Sequence, residues 1–180
     1  RAVARVADGL GPVDVLVNNA AIDVVGPFLE SDEAAWDRIL AVNLKGTLLC
    51  CRAVLEGMIA RGGGSIVNLA SDAGKVGSTG EAVYSASKGG VIAFTRALAR
   101  ETARHAIRVN CVCPGPVDTA LLAQVGEHSQ KLLEGLLRAI PLRRVGQPDD
   151  VAALVAFLAS DDAGYITGQA ISVNGGLTMC

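Results

Sequence analysis

The sequence predicts an α/β fold, a doubly wound parallel sheet covered by helices on both faces. Three observations favour this class. Short apolar runs alternate along the chain with longer helical stretches, as successive βα units require. The apolar runs are nearly continuous, which is typical of strands buried on both faces of a parallel sheet. Polar or Gly-containing segments follow several of these runs directly, at the strand ends where open parallel sheets bind ligands.

The elements follow from local signals. Residues 13–17, Val-Asp-Val-Leu-Val, form a short apolar run between Gly-Pro and Asn-Asn, as a buried strand would. Asp32 and Glu33 supply a cap and a first-turn acid for the helical stretch that follows them. Pro148 and Asp149 begin a later helix in the same way. The predicted order is strand 13–17, helix 31–60, strand 65–70, helix 81–105, strand 107–113, helix 147–160 and strand 170–173.

Three segments are predicted to lie outside this regular pattern. Residues 72–80 are rich in Gly and Ser and predict a loop. Residues 118–141 are apolar and helical in pattern but interrupted, which indicates a substrate-binding flap within the domain. Residues 1–11 look like the last turns of an amphipathic helix that ends at glycines. We therefore expect the first βα units of the sheet to be absent from this chain.

Length, charge and composition exclude several classes of function. The 180 residues and 51% hydrophobic content suit one globular domain, so residues 1–180 are treated as a single unit. Sixteen basic and 18 acidic residues give a formal charge of −2, and no basic tract could follow a phosphate backbone. The five cysteines show neither disulfide nor metal-ligand spacing. With no apolar run near the roughly 20 residues of a membrane span, we expect a cytoplasmic protein without metal, membrane or nucleic-acid partners.

Tyr84 and Lys88 lie four residues apart on a predicted helix, so their side chains share one face. An unperturbed tyrosine has a pKa near ~10 and exchanges protons poorly at neutral pH. A fixed ammonium favours the phenolate, so we expect Lys88 to lower the pKa of Tyr84. Tyr84 could then act as the acid/base of carbonyl reduction or alcohol oxidation, while Ser71, at a strand end, donates to the same substrate oxygen. Alone, Tyr-x-x-x-Lys is also an ordinary helix pair.

Further motifs surround this pair in a fixed order along the chain. They are Asn18-Asn19-Ala20, Asn43, Ser71, Tyr84-Ser85-Ala86-Ser87-Lys88, Pro114-Gly115-Pro116-Val117-Asp118-Thr119, Gly168-Gln169 and Val173-Asn174-Gly175-Gly176. Over essentially all 180 residues this series resembles the short-chain dehydrogenase/reductase family. The resemblance implies a Rossmann-like fold and an enzyme that interconverts a secondary alcohol and a ketone with NAD or NADP.

The resemblance also implies roles for individual positions. In catalysis, Ser71 orients and polarises the substrate, Tyr84 is the acid/base, and Lys88 additionally holds the nicotinamide ribose. Asn43 positions a water in the proton relay to Lys88, although a mid-helix asparagine can also mark a local kink. Pro114-Gly115-Pro116 also simply ends a strand, and both interpretations are compatible. The cofactor-binding positions implied are Asn19, Ala20, Tyr84, Lys88, Pro114, Gly115, Val117 and Thr119.

The chain departs from the family pattern in two places. Ala21 stands where the family usually has glycine, a change that the backbone is expected to accommodate. No Gly-rich phosphate loop follows an opening strand, and Gly62-Gly63-Gly64 precedes a strand as a turn would. With the first βα units absent, the residue that separates NAD from NADP is absent as well.

The substrate is suggested by three segments. Residues 71–77, 80–84 and 113–122 resemble 3-oxoacyl carrier-protein reductases and 2-hydroxycyclohexanecarboxyl-CoA dehydrogenases, which both handle a hydroxyl or ketone β to a thioester. The sequence therefore favours a 3-hydroxyacyl or 3-oxoacyl thioester of CoA or acyl carrier protein. The alternatives are a sugar or steroid alcohol, or an inactive fragment that serves only as an assembly module.

Small residues on the helix predicted at 81–105 would let another helix approach closely, and the family commonly pairs through this helix. We therefore expect a homo-oligomer, a dimer or tetramer. Close packing inside one subunit is the other interpretation of these residues. They are Ala86, Gly89, Gly90, Ala93 and Ala97.

Overall fold

The structure is a computed structural model that describes residues 2–123 and 130–180. Its strands form one parallel sheet in the order β1-β2-β3-β4, which confirms the predicted α/β class. Because all four strands run the same way, their carboxyl ends meet along one edge. The strands are β1 (Val15–Asn18), β2 (Gly64–Leu69), β3 (Ile107–Pro114) and β4 (Ala170–Val173).

Helices cover both faces of the sheet at β2 and β3. The prediction of a buried strand at residues 13–17 is wrong, because β1 lies at the edge of the sheet and its Val15 and Val17 are 43% and 42% exposed. Hydrophobic residues of the helices on one face pack against Ile66 and Val109, and those on the other face pack against Val67 and Val112. All four of these strand side chains are fully buried, as expected for a doubly wound sheet. The helices are α1 (Ala2–Leu10), α2 (Glu33–Ile39), α3 (Gly46–Arg61), α4 (Ala73–Val76), α5 (Ala82–Thr102), α6 (Gln130–Ala139) and α7 (Pro148–Ala159).

The predicted helix ends are formed by the local contacts that the sequence indicated. The side chain of Asp32 accepts a hydrogen bond of 2.7 Å from the Ala35 N–H and caps α2. Gly62, in the left-handed region at φ 74°, ends α3. At the start of α7, Asp150 accepts from the Gln147 N–H at 2.7 Å. Capping and glycine signals therefore placed these ends correctly.

The helical stretch predicted from 31 to 60 is continuous but changes its geometry in the middle. A π-helix, Leu40–Lys45, joins α2 to α3. Such a turn inserts an extra residue and is frequent at functional sites. Asn43 lies within it and is 1% exposed, so the change in geometry coincides with a buried amide.

The prediction of a loop at residues 72–80 is wrong in part, because α4 lies inside it. Gly74 packs so closely on α5 that a Cβ there would lie 2.6 Å from the Lys88 carbonyl carbon. This tertiary contact compensates for the weak helix propensity of a Gly-containing segment. The short helix is therefore a product of packing.

The flap predicted at residues 118–141 includes α6, while residues 124–129 lie outside the described part of the chain. In the described ranges, no helix is long and apolar enough to cross a membrane. In the same ranges, no group of His, Cys, Asp and Glu side chains is arranged to hold a metal ion. The five cysteines are not in disulfides, and Cys111 and Cys113 are buried in β3.

Candidate active site

A cavity of about 630 Å³ opens at the carboxyl edge of the sheet. This is the edge where ligands bind in open α/β sheets, and the volume is typical of small-molecule sites. Ala20 and Asn43 do not line it. The predicted site residues that the cavity brings together are Asn19, Ser71, Tyr84, Lys88, Pro114, Gly115, Val117 and Thr119.

Ser71 follows β2 directly and is oriented by the first turn of α4. Its Oγ accepts a hydrogen bond of 3.1 Å from the Ala73 N–H, and its carbonyl accepts from the Gly74 N–H at 3.0 Å. Since the hydroxyl oxygen is used as an acceptor here, its hydrogen can be donated into the cavity. Ser71 is thus arranged to polarise a ligand oxygen.

Tyr84 and Lys88 project from one face of α5, and both are almost fully buried, at 8% and 2% exposure. The Lys88 Nζ lies 5.6 Å from the centre of the Tyr84 ring. It donates a hydrogen bond of 2.8 Å to the Leu69 carbonyl at the end of β2. An ammonium has three donors, so two remain to bind polar groups of a ligand.

Burial dominates the protonation of this pair. It raises the pKa of Tyr84 to about 12, against a smaller lowering by the Ser71 hydroxyl, and nearby Glu81 and Asp23 raise that pKa further. It lowers the pKa of Lys88 to about 8. The prediction that Lys88 lowers the pKa of Tyr84 is therefore wrong in this structure. The ammonium is held over the ring face by the Leu69 carbonyl, and desolvation of the phenolate is the larger effect.

Asn43 lies behind the cavity and joins two segments that form it. Its Nδ2 donates to the Ile22 carbonyl at 2.9 Å and to the Ser87 Oγ at 3.1 Å, and its Oδ1 accepts from the Ile22 N–H at 2.9 Å. Ser87 in turn donates to the Tyr84 carbonyl at 2.7 Å. Asn43 therefore supports the turn of α5 that carries Tyr84. Its role with a water, and the role of Ala20, stay predictions.

Sequence reasoning missed part of the cavity wall. Asp72 lines the cavity and is 4% exposed, and Leu177 and Thr178 line it from the segment after β4. Asp72 could have been found as an acidic residue directly after a strand-end serine. The other two follow Gly175 and Gly176, whose φ values of 63° and 88° turn the chain back across the carboxyl edge.

Comparison with known proteins relates this chain to a large group of enzymes. The family model described as Enoyl-(Acyl carrier protein) reductase matches residues 1–178. An acetoacetyl-CoA reductase from Allochromatium vinosum is 41% identical over 179 residues, which cover 99% of this chain and 72% of that protein. A (3R)-3-hydroxyacyl-CoA dehydrogenase from Rattus norvegicus is 46% identical over 169 residues, 93% of this chain and 64% of the relative.

A solved structure agrees with these sequence matches. The crystal structure of a protein from Sinorhizobium meliloti 1021, described as a short-chain alcohol dehydrogenase, superposes with a TM-score of 0.92 at 43% sequence identity. The match covers 98% of this chain and 69% of that one. Fold, motif order and overall similarity agree, and this chain belongs to the short-chain dehydrogenase/reductase family of oxidoreductases, which act on CH–OH groups.

Proposed function

We propose that the protein uses NAD or NADP to interconvert a 3-hydroxyacyl and a 3-oxoacyl thioester of CoA or acyl carrier protein. The observation that carries the proposal is the convergence of Ser71, Tyr84 and Lys88 in one cavity at the carboxyl edge of the sheet. The names of the relatives from Allochromatium vinosum and Rattus norvegicus, a reductase and a dehydrogenase of acyl-CoA compounds, support the substrate class.

The shape of the cavity is compatible with an acyl group next to a reacting oxygen. Ser71, Tyr84 and Lys88 are polar groups gathered around the ends of β2 and β3, whereas much of the remaining wall is apolar. An alkyl chain gains free energy from burial against such a wall, at roughly 25 cal/mol per Å². The apolar lining includes Val25, Val76, Leu121, Leu122, Leu136 and Leu177.

Tyr84 is suited to be the proton donor for ketone reduction. Its hydroxyl is neutral at pH 7 and holds a proton to give. Because burial raises its pKa to about 12, it is a weak acid, and it gives the proton to the alkoxide that forms on reduction, which is the stronger base. Ser71 can donate a hydrogen bond to the same ketone oxygen and stabilise the negative charge that develops there. When bound, the nicotinamide supplies the hydride that the carbonyl carbon accepts, and the Tyr84 proton completes the alcohol. Oxidation is the reverse and starts from the Tyr84 phenolate, which receives the proton of the alcohol.

The residues around the cavity fit the reactive end of a nicotinamide cofactor. Among the described residues, Lys88 has one hydrogen-bond acceptor, the Leu69 carbonyl, and its remaining donors suit the hydroxyls of a ribose. The backbone from Pro114 to Val117 and the side chain of Asn19 line the same space. We propose that these residues hold the cofactor, with Thr119 at the end of the same segment. Burial of Lys88 makes the contact strong, because few waters compete for its donors.

The test is a turnover assay on the full-length protein with acetoacetyl-CoA and either NADH or NADPH, followed by the loss of reduced nicotinamide absorbance. Acetoacetate, which lacks the thioester, is the matched control substrate. We expect turnover of the thioester with at least one cofactor and much less with the control. Turnover of sugar or steroid alcohols with none of acetoacetyl-CoA would show that the substrate class is wrong.

We further infer that the protein is a cytoplasmic homo-oligomer. On α5, Ala86, Ala93 and Ala97 are small and exposed, which would let a helix of a second copy approach closely. Gly89 and Gly90, from the same predicted set, instead pack within the subunit, where an added Cβ would meet the Gly74 carbonyl at 3.2 Å and Leu44 at 3.0 Å. Light scattering should give a dimer or tetramer mass, and Ala93→Arg should reduce that mass to one subunit.

A further inference from the structure

The acidic residue next to Ser71 is tied to a distant part of the chain. Asp72 is 4% exposed. Its Oδ1 accepts a hydrogen bond of 2.6 Å from the Ser172 hydroxyl, and its Oδ2 accepts from the Asn174 amide. Both partners lie at the end of β4, about a hundred positions further along the chain. A buried carboxylate with two donors is a rigid connection, because charge-assisted hydrogen bonds are shorter and stronger than neutral ones.

A second side chain strengthens the same connection. Lys75, on α4, donates to the Ser172 Oγ at 2.8 Å and lies 3.5 Å from the Cys180 carbonyl. Asn174 continues the network by donating to the Thr178 carbonyl at 2.8 Å. The segment that begins with Ser71 therefore holds residues 172–180 through one acid and one lysine.

The connection lies where three strands end. The Asp72 N–H donates to the Pro114 carbonyl at 3.0 Å, and the Gly115 N–H donates to the Val173 carbonyl at 3.0 Å. There is no spare room at this junction, because a Cβ on Gly115 would lie 2.7 Å from the Asn174 Cβ. A change in the length or angle of the Asp72 contacts must consequently move the segment after β4.

This segment forms a wall of the cavity. Leu177 and Thr178 line the cavity, as does Ser71. The position of that wall relative to Ser71 determines how much space an acyl group has when its carbonyl oxygen is bound to the serine. Asp72 links the two, because it follows Ser71 directly and accepts a hydrogen bond from Asn174, which in turn donates to the Thr178 carbonyl.

We propose that Asp72 is a positioning residue that sets the distance between Ser71 and the wall formed by Leu177 and Thr178, and so determines which acyl groups are accepted. The proposal rests on the proposed function for the nature of the substrate. An ionised carboxylate accepts at both oxygens, whereas an asparagine would present N–H donors toward one of the two present donor partners, Ser172 or Asn174.

The test compares Asp72→Asn and Ser172→Ala with the control Asp162→Asn, which changes an exposed acid. Each variant is assayed with acetoacetyl-CoA and with a long-chain 3-oxoacyl-CoA. We expect the ratio of kcat/KM between the two substrates to shift by about tenfold in Asp72→Asn and less in Ser172→Ala, mainly through KM. Equal losses for both substrates, with an unchanged ratio, would mean that Asp72 is only structural and would overturn the proposal.

A second readout does not depend on the substrate. Cys180 is exposed, as is Cys50, so a nitroxide label can be placed on Cys180 alone in a Cys50→Ser background. We expect Asp72→Asn or Ser172→Ala to increase the mobility of this label, and unchanged mobility would contradict the proposal. If acetoacetyl-CoA is not turned over but the label becomes more mobile in the variants, the proposed function is wrong and the positioning role of Asp72 stands. The selectivity ratio is then measured on two ketones of different size. If Asp72→Asn does not fold, Ser172→Ala and Lys75→Met provide both readouts.

Discussion

Two sides of the cavity are built in different ways. On the inner side, Tyr84 and Lys88 are at most 8% exposed. Lys88 donates to the Leu69 carbonyl, and Asn43, behind the cavity, binds Ser87 on the turn of α5 that carries Tyr84. On the outer side, formed by residues 117–123 and 130–147, the described side-chain hydrogen bonds are mostly local. Thr119 donates to the Val117 carbonyl two residues away, and Arg138 pairs with Glu134 one turn away.

The outer side is attached to the fold mainly at its ends. A parallel bridge between Val117 and Gly146 joins its two ends to each other, and Ile140, near the second end, is 1% exposed. The Leu142 N–H donates to the Gly175 carbonyl at 3.0 Å. The groups proposed for chemistry are held by long-range contacts, whereas the wall proposed to face the substrate can change with little effect on the core. Substitutions on the two sides should therefore have very different consequences.

The largest effect is expected from Tyr84→Phe, which removes only the oxygen proposed to carry the proton. Turnover should fall by about 10³-fold, within the usual range for loss of a general acid, while cofactor binding measured by fluorescence titration stays close to wild type. Tyr165→Phe, at a fully exposed tyrosine, is the control and should leave turnover unchanged. A Tyr84→Phe protein that retained a tenth of wild-type turnover would contradict the assignment.

Lys88 should make stability depend on pH in a recognisable way. Its pKa falls from 10.5 to about 8 on folding because burial disfavours the ammonium. Between these values the unfolded chain binds more protons than the native protein, so the free energy of unfolding rises with pH, by about 2–3 kcal/mol up to about pH 10. Below the folded pKa this slope disappears.

The measurement is urea unfolding at several pH values for the wild type and for Lys88→Met. The free energy of unfolding of the variant should not rise with pH in this range. Subtracting the variant's pH curve from that of the wild type removes the contributions of other titrating groups. Parallel curves would show that Lys88 is not desolvated in the native protein. Lys88→Met should also weaken cofactor binding, since its donors are proposed to hold the ribose.

Asn43→Ala tests the inner side through stability. The substitution removes three hydrogen bonds, one buried and two partly buried, and leaves the Ile22 N–H and carbonyl without their side-chain partner. We expect the free energy of unfolding to fall by about 2–3 kcal/mol, the cost of leaving such groups unsatisfied. Chemical denaturation measures it directly. A loss below about 0.5 kcal/mol would mean that water replaces the amide, and the contrast between the two sides would weaken.

Leu136→Ala tests the outer side. Leu136 lines the cavity from α6 and is only half-buried, so its truncation should lower the free energy of unfolding by no more than about 1 kcal/mol. The KM for a long-chain 3-oxoacyl-CoA should rise by about tenfold, with little change in kcat. A large loss of kcat for acetoacetyl-CoA would indicate that the outer wall also takes part in the chemistry.

The smallest effect is expected from Arg144→Ala. Arg144 donates to both oxygens of Asp150 at 2.6 and 2.9 Å, which holds the pKa of that carboxyl below its usual range. The pair is exposed to solvent and screened, so it should contribute little to stability. The melting temperature should stay within experimental scatter of wild type at low and high salt. A clear drop in the melting temperature of the variant at low salt would show that the Arg144–Asp150 pair does stabilise the fold.

The elements predicted correctly from sequence have short-range causes. β4 lies at the predicted residues, and α7 begins at Pro148 as expected, because turn, proline and capping signals act within a few residues. The elements predicted wrongly depend on distant contacts. α4 forms because Gly74 packs on α5, and the π-helix contains Asn43, which binds Ile22 and Ser87, 21 and 44 positions away.

Local periodicity in the sequence was enough to predict the parallel α/β class, the polar residues at the strand ends, and the common face of Tyr84 and Lys88. The direction of the Tyr84 pKa shift and the contact of Asp72 with the segment after β4 depend on the folded arrangement and could not be predicted in this way. Desolvation depends on everything packed around a group, and a hydrogen bond across a hundred residues leaves no periodic pattern. Composition and spacing describe neighbours along the chain, and these two properties depend on neighbours in space.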